Sequence, residues 1–179
     1  MRKSTAAFGS FVFFLLAPGV VAGVIPWALT GGHVRTLYPI PLRILGVVLV
    51  IAGVPVLISA FVRFVREGVG TPAPVAPTEQ LVVGGLYRYV RNPMYLAVLS
   101  IIVGQGLLLG HASLFTYAGV VALAFVSFTR LYEEPTLRRQ FGEEYETYRR
   151  AVPGWWPRLR PFKPDAEHVA RTTSRNSPW

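Results

Sequence analysis

Two polar clusters bracket a long apolar run. Arg91-Asn92-Pro93-Met94-Tyr95 opens it, Leu131-Tyr132-Glu133-Glu134-Pro135 closes it, and between Asn92 and Thr129 there is no Asp, Glu, Lys or Arg. Pro93 suits the first turn of a helix, where its missing N–H costs nothing. The amides at such a start can hold an anion such as a carboxylate. No serine or histidine catalytic constellation is visible, and His33, His111 and His168 are too dispersed to share a metal, so no metal site is expected. Each polar residue also has a plainer reading. Arg88 and Arg91 read as anchors on the basic side of a membrane, Glu133 and Glu134 as a solvated helix end, and Tyr87, Tyr95 and Tyr148 as interface aromatics.

The elements that position these residues must be membrane helices. Of the 179 residues, 52% are apolar and only 15% charged, with a mean hydropathy of +0.43, whereas soluble domains carry about 25% charged residues. The uncharged gap is long enough for two crossings of about 20 residues each, which would return both clusters to one face of the bilayer. Four uncharged stretches are read as spans, about 6–29, 44–62, 93–109 and 113–132, and the fold class is an all-α membrane bundle. Gly110-His111-Ala112 allows only a tight hairpin between the last two. Pro18, Pro26 and Pro55 interrupt the first two spans, which membrane helices tolerate when neighbours satisfy the freed carbonyls. Gly104 and Gly106 permit close helix packing, and Gln105 between them is polar enough to face the bundle. Arg2-Lys3, the apolar run and Ala22-Gly23 also resemble a cleavable secretory signal, but the run is long and reaches Trp27, so it is read as a retained helix. With no cysteine in the chain, disulfides and thiolate chemistry are excluded.

Basic residues set the expected orientation. With four spans and a cytoplasmic N-terminus, only Arg35 and Arg43 fall outside, and the other Lys and Arg, of 18 in all, lie inside. The net charge of +9 is then concentrated on one face, where anionic lipid headgroups are a sufficient partner and nucleic acid is not expected. The proline-rich part of the connector 66–92 cannot be helix or central strand, and Gln80 to Tyr87 reads as an extended segment broken by a glycine turn. After the fourth span Pro135 is expected to start a new helix, 135–152, with Leu137, Phe141, Tyr145, Tyr148 and Val152 on its apolar face. Trp155 and Trp156 suit an interfacial anchor. The domain is drawn at 1–162, and the polar tail 163–179 is expected to be disordered.

Taken together, Gly85-Leu86-Tyr87 through Arg91-Asn92-Pro93-Met94-Tyr95, the Glu133-Glu134 pair, and Phe141-Gly142-Glu143-Glu144-Tyr145 leading to Val152-Pro153 resemble the isoprenylcysteine carboxyl methyltransferase family, over roughly residues 70 to 160. Asn92 stands where that family's Arg-His-Pro-x-Tyr has histidine. Asn-Pro-Met-Tyr and Leu-Tyr-Glu-Glu-Pro are similar instead to the related phosphatidylethanolamine N-methyltransferases. The resemblance implies an integral-membrane enzyme that uses S-adenosylmethionine without a Rossmann domain. It implies cofactor contacts at Gln80, Leu81, Val82, Tyr87, Asn92, Pro93, Tyr95 and Glu133, with Arg91 and Glu134 added from neighbouring positions. Arg130, one residue out of register with the family's substrate arginine, and Tyr95 would face the acceptor. The cofactor's carboxylate would need Arg91 and helix-start amides, and its ammonium Glu133 or Glu134. Its sulfonium is already an activated electrophile, so alignment and exclusion of water would supply most of the catalysis. The implied acceptor is a lipid or lipophilic small molecule, methylated on a carboxylate or an amine at the cytoplasmic leaflet. Arginine-rich composition with much Ala, Gly and Val points to a bacterial inner membrane. The competing class is a non-catalytic membrane interaction subunit.

Overall fold

The computed structural model describes residues 18–35, 37–68 and 81–163. Residues 6–17 of the expected first span, most of the proline-rich connector including Gln80, and the tail beyond 163 lie outside them. Among the described residues there are helices and turns but no strand, in keeping with the all-α reading.

The first helix enters as a π-turn, Val20–Val24, and continues as α1, Ile25–Thr30, ending at Gly31 in the left-handed conformation. Pro26 explains its shape. A proline at this position lacks the N–H that would reach the carbonyl of Ala22 in α-helical register or of Val21 in π register. Both carbonyls find partners on neighbouring helices: Gln105 Nε2 donates to Ala22 at 2.6 Å and the Tyr117 hydroxyl to Val21 at 2.9 Å. Gln105 faces the bundle for this reason.

α2 spans Ile40–Gly68, longer at both ends than the expected 44–62. Pro41 sits in its first turn, where a proline is tolerated, and Pro55 is carried inside the helix without ending it. α3, Pro93–Leu109, and α4, Ser113–Phe128, form the expected hairpin, with Gly110 at φ +74 closing α3. α2 and α3 make the most extensive contact in the bundle, through glycine. A Cβ on Gly46 would lie 2.6 Å from the Gly104 carbonyl, and one on Gly104 2.7 Å from the Gly46 carbonyl. Such an approach needs small residues, because packing rather than apolar transfer drives helix association in lipid.

Two of these helices, Ile40–Arg63 and Ser113–Phe141, are long and apolar enough to cross a membrane, and Val20–Thr30 and Pro93–Leu109 are shorter apolar helices. Only 22% of the most apolar window of each long helix is buried within the molecule. A soluble core helix would hide most of that surface. Here Ile44, Ile51 and Ile58 on α2, and Val120 and Leu123 on α4, face outward.

Beyond α4 the structure corrects the expected boundaries. Pro135 does not begin a separate helix. A π-turn, Thr129–Glu133, absorbs the change of register, its Glu134 N–H reaching the Thr129 carbonyl, and the helix runs on as α5, Glu134–Phe141. The break falls instead at Gly142, whose φ of 55 and ψ of −124 suit a residue without a Cβ, and α6 follows at Glu143–Ala151. The single amphipathic helix 135–152 is therefore two. Its apolar stripe is nevertheless used as one surface: Tyr145, Tyr148 and Val152 cluster with Leu137, Phe141, Leu81, Val83 and Phe162.

Candidate active site

The site lies where α3 begins, α4 ends and the C-terminal helices fold back. Asn92 caps α3 with φ −117 and ψ 55 but makes no side-chain capping bond, and Pro93 occupies the first turn. The N–H of Leu96 returns to the Asn92 carbonyl at 3.2 Å. Within the first turn, Tyr95 donates its hydroxyl to Glu133 Oε1 at 2.5 Å. The other carboxylate oxygen, Oε2, accepts from Thr129 Oγ1 at 3.2 Å. Thr129 and Glu133, four residues apart at the two ends of the π-turn, share one helix face, and Thr129 is fully buried.

Aromatic rings wall the pair. Tyr95 stacks on Phe125 of α4 at a centroid distance of 4.4 Å, and the Trp155 ring lies nearly parallel to it at 6.2 Å. Trp155 thus packs beside the Tyr95 ring, whereas Trp156 is 80% exposed. Phe125 carried no polar signal in the sequence, and only its stacking marks it.

A second polar knot joins α3 to the C-terminal helices. Arg91 Nη1 pairs with Glu134 Oε1 at 2.8 Å and also donates to the Tyr145 hydroxyl at 2.9 Å, while its Nε donates to the Val152 carbonyl at 3.0 Å. Arg149 approaches the second Glu134 oxygen at 3.6 Å. Such a partly buried guanidinium, donating to three different partners, fixes geometry better than lysine would. Burial pushes the Tyr145 hydroxyl above its ordinary value, although the Arg91 charge pulls it down, and burial likewise pushes up the Tyr148 hydroxyl. Tyr148 donates to the Tyr87 carbonyl at 2.6 Å. A backbone strap completes the enclosure: Arg91 N–H reaches the Pro153 carbonyl, Arg158 N–H that of Tyr89, and Phe162 N–H that of Arg88.

The expected cofactor residues thus divide. Tyr95 and Glu133 are joined directly, and Asn92 and Pro93 stand at the start of the helix that carries Tyr95. Arg91 and Glu134 lie beside it and bind each other. Tyr87 and Val82 are buried against Ala60 of α2, and Leu81 packs on the α6 cluster. Arg130 is exposed on the π-turn and shares no hydrogen bond or ion pair with Tyr95 or Glu133. Among the described residues no group of His, Cys, Asp or Glu could hold a metal.

The arrangement fits a zwitterionic methyl donor on two observations. The Asn92 side-chain nitrogen Nδ2 is buried without a partner, a donor that a bound carboxylate or carbonyl would satisfy. It lies 3.5 Å from where a Cβ on Gly154 would be, with Arg91 Nη2 at 3.2 Å from the same point, so a glycine keeps this corner open. Glu133 supplies the complementary negative charge.

Comparison with known proteins agrees. Protein-S-isoprenylcysteine O-methyltransferase from Schizosaccharomyces pombe (strain 972 / ATCC 24843) is 36% identical over 77 residues, a stretch covering 43% of this chain and 33% of that relative. The chain thus matches about a third of the length of this curated relative. No solved structure matches it. A family model described as phospholipid methyltransferase matches residues 42–144, more than half of the chain, and the chain accordingly belongs to the phospholipid methyltransferase family.

Proposed function

We propose that this protein transfers the methyl group of S-adenosylmethionine to a lipophilic or amphiphilic acceptor at the cytoplasmic face of a membrane. The observation that carries the reading is the Tyr95–Glu133 pair, held between two apolar helices and walled by Phe125 and Trp155. In this reading Asn92 and the amides following Pro93 hold the donor's carboxylate, Glu133 faces its positive charge, and Gln80, Leu81, Val82 and Tyr87 contribute the remaining cofactor contacts. Arg91 and Glu134 act by joining α3 to α5 and α6. The donor supplies an electrophilic methyl group. Tyr95, Phe125 and Trp155 exclude water, and Arg130 at the membrane exit meets the acceptor. The helices serve as four spans with both termini cytoplasmic in a bacterial inner membrane, the domain occupying 1–162.

The ester-forming reading rests on the likeness to the isoprenylcysteine enzyme. A second reading, amine N-methylation of a phospholipid, is favoured by Asn92-Pro93-Met94-Tyr95 and by the family match over 42–144. Membranes containing the protein are supplied with methyl-labelled donor and extracted into organic solvent. Label should enter the organic phase. Methyl esters then release methanol in mild alkali and N-methyl groups do not. An amine acceptor must also lose its proton first, so its rate climbs with pH, while a carboxylate is already ionised near neutrality. Label confined to the aqueous phase would end the lipophilic-acceptor reading. Absence of any donor binding would favour a non-catalytic interaction subunit.

A further inference from the structure

At the basic end of α2 a cavity of about 300 Å³ opens between the helix and the Gly85–Arg88 turn, lined by Ser59, Val62, Arg63, Arg66, Gly85 and Leu86. We infer that it binds the phosphate of an anionic phospholipid, as a site separate from the Tyr95–Glu133 pair.

Four of the lining residues recur at i, i+3, i+4 and i+7, which places them on one helix face. That face carries two guanidinium groups and a hydroxyl, and no lining residue is acidic. Simple anchoring on the basic side of a membrane accounts for arginines at this depth but not for the cavity or for the turn opposite it. The turn is shaped to the cation: Gly85 has φ +56, and a Cβ there would lie 2.9 Å from Arg63 Nε and 3.4 Å from its Nη2. Glycine lets the Arg63 guanidinium lie against the turn backbone, at the wall of the cavity. Two guanidinium groups on one wall match the oxygens of a phosphodiester, which takes charge-assisted hydrogen bonds from both. The volume is at the lower end of the range for small-molecule sites, enough for a headgroup and not for a whole lipid. Below it the helix surface turns apolar, with Val54, Ile58 and Val62 exposed. A polar pocket over an exposed apolar strip matches an amphiphile whose phosphate sits at the headgroup level and whose chains run along α2.

The inference does not depend on methyl transfer, and its test reads binding directly. The full chain in detergent is mixed with phosphatidylglycerol or phosphatidylcholine and followed by native mass spectrometry. One phosphatidylglycerol should stay bound under activation that strips phosphatidylcholine. Arg63→Gln with Arg66→Gln should weaken it about 10- to 100-fold, the loss expected of hydrogen bonds to a charged group. Melting temperature reports on the fold; should the double variant fail to fold, Arg66→Gln alone, at an exposed position, makes the comparison and should weaken retention severalfold. Excess inorganic phosphate should not displace the lipid, because it lacks the chains. Displacement by phosphate would leave the anion chemistry standing and overturn the lipid source. Equal retention by the folded variant and the natural sequence, or displacement by S-adenosylmethionine, would overturn the separate site altogether.

Discussion

The two π-turns among the described residues, Val20–Val24 and Thr129–Glu133, use the same backbone device for different ends. Each stands two residues ahead of a proline, Pro26 and Pro135, and each leaves carbonyls that the proline cannot reach. In the first turn the freed carbonyls of Val21 and Ala22 are taken by Tyr117 and Gln105 from neighbouring helices, so the irregularity is absorbed in packing. In the second, the Arg130 and Leu131 carbonyls stand on residues whose side chains are exposed, at a level where water and headgroups supply donors. Its inward face is used differently, aiming Thr129 and Glu133 at Tyr95. A π-turn is often retained where a side chain must be re-aimed at a functional site. The difference teaches that a proline-linked break can be absorbed in packing or can present polar side chains inward, according to where its freed carbonyls find donors.

The largest effect should come from erasing the second turn. Deleting Leu131 removes the extra residue of the turn and returns the segment to α-helical register, leaving Thr129 and Glu133 three residues apart instead of four and displacing Glu133 from Tyr95. Methyl transfer should fall by at least ~100-fold, since a misplacement of about 1 Å can cost that much. Retained activity in a folded protein would show that the turn is incidental and break the comparison. Next is Glu133→Gln, which keeps the shape and removes the charge. Calorimetric titration with S-adenosylmethionine should show affinity reduced about 10- to 100-fold, and unchanged affinity would move the cation partner elsewhere.

The first turn should behave in the opposite way. Gln105→Leu and Tyr117→Phe remove the donors to its carbonyls, so each should lower stability by about 0.6 kcal/mol, up to ~1.7 kcal/mol, the scale of hydrogen bonds between membrane helices. Turnover per folded molecule should stay within a few-fold. A selective loss of activity in these variants would merge the roles that the two turns are assigned here. The smallest effect near neutrality concerns the strap that holds Trp155 over Tyr95. Because burial raises the Tyr148 hydroxyl, the folded state keeps its proton longer than the unfolded chain. The stability this gives is complete below about pH 10, the ordinary tyrosine value, and is lost as pH rises towards the folded value. Tyr148→Phe should flatten that alkaline slope in melting experiments, whereas Tyr117→Phe should not displace the strap.

Much was legible in the sequence because it depends on local chemistry. The uncharged run from Pro93 to Thr129 and the short Gly110-His111-Ala112 link determined a helical hairpin, since lipid admits no other economical way to satisfy the backbone. Pro93 marked the start of α3, and the hairpin required that Asn92, Tyr95 and Glu133 return to one face. The five-residue stripe from Leu137 to Val152 was readable because its period survives the break at Gly142. Tertiary structure alone decided the rest. A π-turn adds one residue to a helix, and the proline that follows it marks a break without saying whether the helix stops or continues, so the register that joins Glu133 to Tyr95, and the continuation through Pro135, depended on packing. Arg91 and Glu134 were recognisable as polar and close, but which partner each would take depended on where α6 and the strap returned. Phe125 and Trp155 carried no polar cue, and their place beside Tyr95 is a matter of ring contacts between residues 30 and 60 positions away, contacts that only the folded chain can create.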